Sequence, residues 1–488
     1  MFVGCDSTAT DATGYPPAAG FALTIGTTTI SVPAGSAATT SIRATRSGGL
    51  VGAISYLVAG APAGLTATVA ATTQSDSSTL TIAAAAALAP GTYQLTLTAS
   101  ATGAAEQQAG ITITVASAAT PVIASVVAGS HTCALTTAGA AYCWGYNGNG
   151  ELGNDATSIN NSVPVAVAGG ITFQSLAVSQ VAGFGCGLAV GGAAYCWGDN
   201  TEGELGDSTT TRRLHPVSVT GGLTFKSLAV GNAQVCGIAM NGSAWCWGTS
   251  ASGAFGDGTT GTHITPRPAA VGMTFQRVVA GNDYVCALTI NGAAYCWGLG
   301  GVGQLGNGGF ASSNTPVAVV GGLTFRSLAA ATQTTCGLTT EGKTYCWGNN
   351  FYGTVGDGTF GIDQGTSRRL VPIAVNGNLT FDSIAAGFET ICGVTPSGAA
   401  YCWGYNFGAV GDGGMDHRSS PSAVSGGLAF RGISSGAGYS CGVTTASVAY
   451  CWGDNTNGSL GDGTLTVRDR PTPVVWPPHG VSTRRAGP

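Results

Sequence analysis

Cysteine is the residue whose chemistry this chain repeats most regularly. Fourteen of the 15 Cys residues form seven pairs, and the two members of each pair are ten positions apart. The pairs are Cys133 and Cys143, Cys186 and Cys196, Cys236 and Cys246, Cys286 and Cys296, Cys336 and Cys346, Cys392 and Cys402, and Cys441 and Cys451. Two thiols at a fixed spacing can form a disulfide, bind a metal ion or act as small buried apolar groups.

A hairpin between the two cysteines favours the disulfide. Ile290-Asn291-Gly292 fits a three-residue loop with Gly292 in the left-handed conformation, and this register places Cys286 opposite Cys296. Six units have Gly at that position, and the seventh has Ser447. Each such loop would contribute about 2–3 kcal/mol. Buried free thiols are the alternative, whereas a tetrahedral metal site needs close Cys-x-x-Cys pairs or added His, and the five His residues are scattered. We therefore expect no metal and no cofactor.

The second cysteine of every pair lies in an aromatic-Cys-Trp-Gly motif. The Trp residues are Trp144, Trp197, Trp247, Trp297, Trp347, Trp403 and Trp452, spaced 53, 50, 50, 50, 56 and 49 residues apart. A period near fifty indicates an array whose units cannot bury their faces alone. Because neighbours along a strand point to opposite faces, each Trp should pack on the disulfide of an adjacent unit as core.

Each unit contains four strand-like segments, called A to D. One unit reads Leu223-Thr-Phe (A), Cys236-Gly-Ile-Ala (B), Ala244-Trp-Cys-Trp (C) and Pro268-Ala-Ala-Val271 (D), with a long polar loop between C and D. We expect the last D-like strand, Pro473–Trp476, to complete a blade with the first unit's strands near Val122–Cys143, closing the ring.

The repeated unit resembles the repeat of the regulator of chromosome condensation family. The matching residues are Trp144-Gly-Tyr-Asn147, Gly150-Glu-Leu-Gly153 and His131-Thr-Cys-Ala-Leu135, and residues 121–476 follow the same frame. The resemblance implies a seven-bladed β-propeller. It also implies guanine-nucleotide exchange on the GTPase Ran with chromatin binding, or, as in some bacterial relatives, inhibition of a protein partner. The family's His occurs here only as His131, and paired cysteines are not a general feature of the family.

The chain before the repeats has a different composition. Residues 20–117 contain neither Cys nor Trp and alternate apolar and polar residues, as at Ile111, Ile113 and Val115. This pattern predicts an antiparallel β-sandwich, and its order of turns resembles a bacterial immunoglobulin-like module. The fold class is therefore all-β, with a sandwich preceding a propeller at 122–476. Residues 1–19 are interpreted as a signal remnant or tether, and residues 477–488 as a tail.

Composition and the N-terminus indicate the compartment. Only 8% of residues are charged, the formal charge is −5, and the sole lysines are Lys226 and Lys343, so we expect no nucleic-acid partner. The sequence contains no apolar run of 18 residues, which predicts no membrane-spanning helix. Phe2-Val3-Gly4-Cys5 resembles the end of a bacterial lipoprotein signal, with lipidation at Cys5, although the basic and apolar parts of a signal are missing. Regular disulfides favour an extracellular or cell-surface location in a bacterium.

A search for catalytic motifs finds none. The Gly-Asp steps at Asp257, Asp357, Asp412 and Asp462 fit turns better than calcium loops, which need several carboxylates at alternate positions. We expect a non-catalytic monomer that binds a protein partner through its C–D loops. The longest loop, 348–371, supplies the candidate anchors Phe351, Tyr352, Phe360, Arg368 and Arg369. A glycan ligand, a secreted lyase or glycosidase, and a nucleotide-exchange regulator are the alternatives.

Overall fold

The structure, a computed structural model, describes residues 18–33, 36–70, 76–85, 88–116, 121–361 and 367–476. It is all-β, and contacts divide the chain into two compact units, of which the second is Pro121–Trp476. Cys5, nearly all of the expected tether and the expected tail at 477–488 lie outside the described residues. Within the described ranges, no helix is long and apolar enough to cross a bilayer.

The described part of the first unit contains eight strands in two four-stranded sheets. The strands are β1 (Gly20–Ile25), β2 (Thr29–Pro33), β3 (Ala37–Ser47), β4 (Ser55–Ala59), β5 (Leu65–Val69), β6 (Ser77–Ala84), β7 (Gly91–Ser100) and β8 (Gln107–Ala116). The sheets have the orders β1-β3-β6-β5 and β2-β8-β7-β4. Inward residues of both sheets, such as Ile42, Leu80, Leu97 and Ile111, form one buried core. The expected antiparallel pairing fails at β2, which runs parallel to β8.

The second unit contains seven four-stranded sheets, each formed by four consecutive strands in the order A-B-C-D. Sheet 1 comprises β9 (Ile123–Ala128), β10 (His131–Thr136), β11 (Ala141–Asn147) and β12 (Ser158–Ala166); sheet 2, β13 (Phe173–Val178), β14 (Phe184–Ala189), β15 (Ala194–Gly198) and β16 (Arg213–Ser218); sheet 3, β17 (Phe225–Val230), β18 (Gln234–Ala239), β19 (Ala244–Ser250) and β20 (Gly261–Ala269). Sheet 4 comprises β21 (Phe275–Ala280), β22 (Tyr284–Thr289), β23 (Ala294–Gly298) and β24 (Ser313–Ala318); sheet 5, β25 (Phe325–Ala330), β26 (Thr334–Thr339), β27 (Thr344–Asn349) and β28 (Arg368–Ala374). Sheet 6 comprises β29 (Ser383–Ala386), β30 (Thr390–Val394), β31 (Ala400–Gly404) and β32 (Arg418–Ala423); sheet 7, β33 (Phe430–Ser435), β34 (Tyr439–Thr444), β35 (Ala449–Gly453) and β36 (Arg468–Pro473).

All seven cysteine pairs are disulfides that join strands B and C, so neither free thiols nor metal-bound thiolates occur at these positions. The bonds join Cys133 to Cys143, Cys186 to Cys196, Cys236 to Cys246, Cys286 to Cys296, Cys336 to Cys346, Cys392 to Cys402, and Cys441 to Cys451. Their Cα atoms are 4.0–4.1 Å apart, and every one of these cysteines is fully buried.

The B–C turn accounts for this pairing. Cys286 lies opposite Cys296 in the register that the hairpin predicts, and Gly292 has a φ of 79°. Ser447 adopts the same left-handed conformation, with a φ of 64°. The turn therefore fixes which residues face each other, and the register places the sulfur atoms together.

Each disulfide packs against the Trp of the following sheet. Trp297, for example, lies in one buried cluster with Cys236 and Cys246, and the arrangement repeats from sheet to sheet. The last disulfide, between Cys441 and Cys451, lies in a cluster with Trp144 of sheet 1. The expected packing of tryptophan on the neighbouring disulfide is thus observed, and it continues from the last sheet to the first.

The innermost strands of the seven sheets are their A strands. Each contacts the A strand of the next sheet, and β33 of sheet 7 contacts β9 of sheet 1. This cyclic order is that of a β-propeller, whose A strands surround a central channel.

The prediction that the last D-like strand completes the first sheet, at the junction of sheets 7 and 1, was wrong. The last strand, β36, pairs with β35 of its own sheet, and sheet 1 is complete with β9 to β12. The C-terminal segment still reaches sheet 1 through side chains, because Trp476 makes edge contacts with Tyr142 and Trp144 at 5.5 Å and 6.0 Å. Four strands occur in every unit whether or not one is exchanged, so the repeat count alone could not decide between the two arrangements.

Candidate functional site

The loops of the propeller are divided between two faces. Backbone bonds join C–D loops to A–B loops, as from Asp199 N to Gly183 O at 2.8 Å. They also join the start of A strands to B–C turns, as from Phe225 N to Gly192 O at 2.8 Å. The side carrying the A–B and C–D loops is called the loop face, and the side carrying the short B–C turns is called the turn face. This is the division that strand direction predicts.

Every C–D loop is fixed at its base by the following sheet. The indole Nε1 of each repeated Trp donates to a backbone carbonyl in the preceding unit's Gly-x-Leu-Gly segment or its variant, at 2.8–3.0 Å. In sheet 3 the last glycine of this segment, Gly256, has a φ of 70°, and a Cβ there would lie 2.7 Å from Nε1 of Trp297. Glycine is therefore required where the loop meets the indole.

A buried asparagine holds the loop from within in five of the units. Asn455 accepts from the backbone N–H of Leu460 at 3.0 Å and donates to the carbonyl of Thr464 at 3.0 Å. The equivalent residues are Asn147, Asn200, Asn350 and Asn406. These bonds replace the regular sheet pairing that a loop lacks, so the base of the loop is well defined.

An ion pair closes the loop in four units. Asp357 accepts from Arg369 at 2.7 Å and from Thr359, and corresponding pairs are Asp207–Arg213, Asp412–Arg418 and Asp462–Arg468. Burial opposes ionisation, but the bonds from Thr359 and Arg369 outweigh it and hold the pKa of Asp357 below its usual range. The Gly-Asp steps therefore act in turns and ion pairs, as their sequence favours.

Aromatic side chains from the loops of sheets 5 and 6 come together on the loop face. Phe351 and Tyr352 lie in the C–D loop of sheet 5, and Tyr405, Phe407 and His417 lie between strands C and D of sheet 6. Tyr352 contacts Tyr405 at 5.0 Å, and Tyr405 in turn contacts Phe407 at 5.2 Å. With Phe388 of the adjoining A–B loop, which lies 6.4 Å from Tyr405, these six residues are called the aromatic cluster.

The aromatic cluster has a buried base and an exposed surface. His417 stacks on Tyr405 at 5.2 Å, and its Nδ1 accepts from the backbone N–H of Asn406 at 3.0 Å. Burial lowers the pKa of His417, although Asp416 opposes the shift. Phe351, Phe388 and Phe407 remain 50%, 37% and 56% exposed. Exposed aromatic rings held by ring contacts are typical of binding surfaces.

The apolar surface continues toward the centre of the loop face. A depression of about 360 Å³ lies beside Phe388 and is lined also by Tyr146 of sheet 1 and by Val181 of the A–B loop in sheet 2. Val181 is 51% exposed and Tyr146 37% exposed. The central depression and the aromatic cluster thus share Phe388 and form one apolar area with polar residues such as Asn457 at its edge.

The structure places the five predicted anchors differently. Phe351 and Tyr352 belong to the aromatic cluster: Tyr352 contacts Tyr405 of the next sheet, and Phe351 contacts Tyr352. Phe360 is 46% exposed, but no ring contact joins it to the cluster within the described residues. Arg368 and Arg369 lie in β28, opposite Asn349 and Gly348, instead of in the loop. Strand D therefore begins at Arg368, and Asp357 holds Arg369 at the base of the loop.

Sequence reasoning missed Phe388, Tyr405, Phe407 and His417. A signal was present, because Trp403-Gly-Tyr-Asn-Phe407 places aromatic residues where Trp452-Gly-Asp-Asn-Thr456 has polar ones. Consecutive units of a closed array are neighbours in space. Aromatic substitutions in two consecutive loops could therefore have been combined into one site.

Several ionisable groups near the loop face are buried. Burial raises the pKa of Glu151 and Glu204 to about 7 each, and that of Glu389, whose carboxylate accepts from Thr354, to about 8. Burial also lowers the pKa of His131 to about 3. The ring of His131 lies close to Cys133 and Cys143, but those sulfur atoms are joined in a disulfide and are not thiolate ligands.

These features define a β-propeller of tandem repeats that carries a loop-based apolar site. Two sequence profiles of the regulator of chromosome condensation (RCC1) repeat match it, one at residues 123–151, 275–304, 325–354 and 381–408, the other at 138–187, 191–238 and 291–339. RCC1 repeats are therefore present in the propeller over these ranges, and the resemblance seen in the sequence is confirmed at this level.

Solved structures of RCC1-like proteins share the fold. Human WBSCR16 is 18% identical with a TM-score of 0.62, and the match covers 69% of this chain and 94% of that chain. Prp20p from Saccharomyces cerevisiae is 21% identical with a TM-score of 0.61, and the match covers 68% and 85%. The Prp20p structure was described with its binding to Gsp1p and histones, and yeast RCC1 (Prp20) also with Kap60. At these identities the likeness concerns the fold.

Proposed function

We propose that this protein is an exported or cell-surface bacterial protein that recognises a protein partner through the loop face of its propeller, without catalysis. The observation that carries the proposal is the aromatic cluster, whose rings come from two neighbouring sheets and expose large apolar areas. Such rings stay in place without a ligand, because their partners are other rings and fixed backbone, so little side-chain freedom is lost on binding.

In this proposal the seven sheets are the seven blades of a closed ring. The cyclic contacts of the A strands and the packing of Trp144 on the last disulfide support closure. The first unit is proposed to be an immunoglobulin-like module at 20–117, supported by its two sheets around one core. The propeller at 122–476 is then the binding domain, and residues 1–19 and 477–488 flank the two.

The proposed location follows from the disulfides. Seven disulfides fit an oxidising compartment and are rare in a reducing cytosol. Lipidation at Cys5 would attach such a protein to the membrane surface, and it remains part of the proposal. Mass spectrometry of the protein purified from its own membrane fraction tests this step, because a diacylated Cys5 has a distinct mass.

Two variants of the full-length chain test the binding site. The first replaces Phe351 and Phe407 by Ala; the second, its control, replaces Val190 and Ile290, which are exposed apolar residues of the turn face. We expect the wild type and the control to capture the same extracellular protein from culture medium. The aromatic variant should bind that protein at least tenfold more weakly, the loss typical of anchor residues.

Two outcomes would contradict the proposal. Either both variants lose binding of the captured protein equally, or the aromatic variant still binds it. If only a glycan is captured and the Phe351 and Phe407 variant loses it, the loop face is still the binding surface but the partner class is wrong. Far-UV circular dichroism, which reports the backbone fold, should be unchanged in both variants, because all four side chains are half or more exposed.

One observation bears on a glycan-cleaving enzyme. Glu151 has a pKa raised to about 7, with the charge of Asp199 contributing after burial, and a general acid for glycoside cleavage needs such a value. Its side chain is completely buried, however, so a substrate would reach it only after the loop opened. Turnover of a glycan by the wild type that is lost in Glu151→Gln would favour this alternative.

A further inference from the structure

A cavity at the central channel is separate from the loop-face site. It has a volume of about 470 Å³ and lies against the A strands of four successive sheets, lined among others by Ser175, Lys226, Gln276, Arg277 and Leu328. Lys226 directly follows Phe225, whose backbone N–H bonds to the B–C turn of the preceding sheet. Lys226 therefore lies in the half of the cavity wall that is nearer the turn face.

The charges of the cavity are unbalanced. Among the described residues that line it, two are cationic, Lys226 and Arg277, and none is acidic. The side chains of Lys226 and Arg277 make no hydrogen bond or ion pair with another described residue. This is unusual in a chain in which only 8% of residues are charged. Two unneutralised cations at the wall of a concave site attract anions more strongly than the same charges on a flat surface.

Cationic side chains on two other A strands have hydrogen-bond partners within the protein. Arg326, which occupies the same position in sheet 5 as Lys226 does in sheet 3, donates to the carbonyl of Phe381 at 2.6 Å and lies 3.8 Å from Asp382. Arg431 of sheet 7 likewise donates to the carbonyl of Ile123. The guanidinium groups of Arg326 and Arg431 thus have partners within the protein, whereas Lys226 and Arg277 line the cavity.

Neutral donors complete the lining. Ser175 and Gln276 lie in the same wall, and the amide of Gln276 also donates to the carbonyl of Thr289 at 3.1 Å. The hydroxyl of Ser227 has no hydrogen-bond partner but is inaccessible to solvent, so it would reach a ligand only after its side chain turns. Leu176, Leu228 and Leu328 supply apolar contact. Cations, hydroxyls and aliphatic side chains in one cavity match a molecule that has an anionic group, several hydroxyls and a carbon ring.

We propose that this cavity binds a small organic anion of sugar size, with its carboxylate or phosphate group between Lys226 and Arg277 and its hydroxyls toward Ser175 and Gln276. The volume exceeds what inorganic phosphate would fill and suits a monosaccharide acid or a sugar phosphate. The site does not depend on the loop-face proposal, since it lies at the opposite end of the channel and uses different residues.

The test measures binding of galacturonate, glucose 6-phosphate, neutral galactose and inorganic phosphate to the full-length protein by calorimetry. Variants Lys226→Met and Arg277→Met remove one cation each, and Lys343→Met is the matched control because it removes the only other lysine. We expect saturable one-to-one binding of galacturonate or glucose 6-phosphate that is weakened about tenfold or more by either cavity variant and unchanged by Lys343→Met. Binding should also weaken as salt is raised.

The two anionic sugars distinguish a carboxylate from a phosphate as the preferred group. Equal affinity for neutral galactose would overturn the role of the cations. Equal weakening by Lys226→Met and Lys343→Met would show a nonspecific charge effect and also overturn the proposal. So would the absence of saturable binding to both anionic sugars at millimolar concentration, or saturable binding of inorganic phosphate alone. The Ser227→Ala variant, which keeps both charges, should weaken binding less than either cation variant.

Discussion

In the N-terminal unit two sheets share one core, whereas in the propeller each core lies between successive sheets and contains a disulfide. Ile42, Leu80 and Leu97 from both sheets of the first unit meet directly. In the propeller, Trp297 of sheet 4 meets Cys236 and Cys246 of sheet 3, and the same arrangement recurs at every junction. The buried apolar residues of the first unit lie mainly in one large cluster, beside a smaller one, whereas those of the propeller lie in seven clusters that each contain a disulfide.

The difference indicates what each unit needs for stability. A four-stranded sheet with short strands buries little surface alone, and the cross-link limits the freedom of each hairpin when it is unfolded. The sandwich has long strands, such as the 11 residues of β3 and the ten of β7, and its described residues hold their core without a cross-link. Stability in the propeller should therefore depend on redox state, and in the sandwich it should not.

Reduction gives the largest expected effect. Seven loops at about 2–3 kcal/mol each would sum to about 14–21 kcal/mol on the chain-entropy estimate, so reduced propeller should lose its calorimetric transition. The transition of the sandwich should persist in the reductant. Thiol titration of the unreduced, denatured protein should detect at most one free Cys. Around fourteen free thiols, or a propeller transition that survives full reduction, would contradict the comparison.

Substitution of tryptophan tests whether the junction of sheets 7 and 1 contributes as much to stability as the other junctions. Trp297→Ala, at an internal junction, and Trp144→Ala, at the junction of sheets 7 and 1, should each destabilise the propeller by about 3–5 kcal/mol. Each variant loses a buried ring and an indole hydrogen bond to the preceding sheet. Chemical denaturation measures the free energy of unfolding of both variants. A much smaller effect for Trp144→Ala would mean that the ring is effectively open at that junction.

The stability of the propeller, but not that of the sandwich, should also depend on pH. The pKa of Glu389 is about 8 in the folded chain, against a usual value of 4.5, so the folded state retains a proton that the unfolded state loses. The stabilisation is present below pH 4.5 and is lost as the pH rises through 8. Glu389→Gln should flatten this decline and be more stable than the wild type at pH 8, by a few kcal/mol at most. In the described part of the sandwich the carboxylates of Asp76 and Glu106 are exposed, so its transition is the internal control.

The smallest expected effect concerns one B–C turn. Ser447 has a φ of 64°, where the other six units have glycine, so Ser447→Gly should stabilise the propeller by about 1 kcal/mol or less. The reciprocal change is Gly242→Ser, at a φ of 89°, where a Cβ would lie no closer than 3.4 Å to any neighbour. It should destabilise by a similar amount. If the two changes have the same sign, backbone conformation does not control this turn.

The sequence predicts features that a turn or a period determines. The pairing of Cys286 with Cys296 follows from the hairpin, and the division of the loops between two faces follows from strand direction. The sequence could not assign the last strand, because the same repeats permit a complete or an exchanged first sheet. It also could not place Arg369 in a strand, since that depends on where strand D rejoins strand C, here opposite Gly348. The aromatic cluster combines Phe388 and Tyr405 with residues of another unit, and such contacts arise only when the sheets are assembled.

The hydrogen bond from each Trp to the preceding loop has a consequence for how such proteins diversify. The indole and the buried asparagine hold the base of each such C–D loop, as Trp144 and Asn455 hold the loop of sheet 7 at Ser459, Leu460 and Thr464. Neither contact involves the rest of that loop. The outer segment is therefore an exchangeable cassette: recombination between repeats could move it to another position without altering the junctions that hold the ring. A protein with seven such positions could acquire new partners by shuffling its own loops, while the pattern of cysteines and tryptophans stays constant.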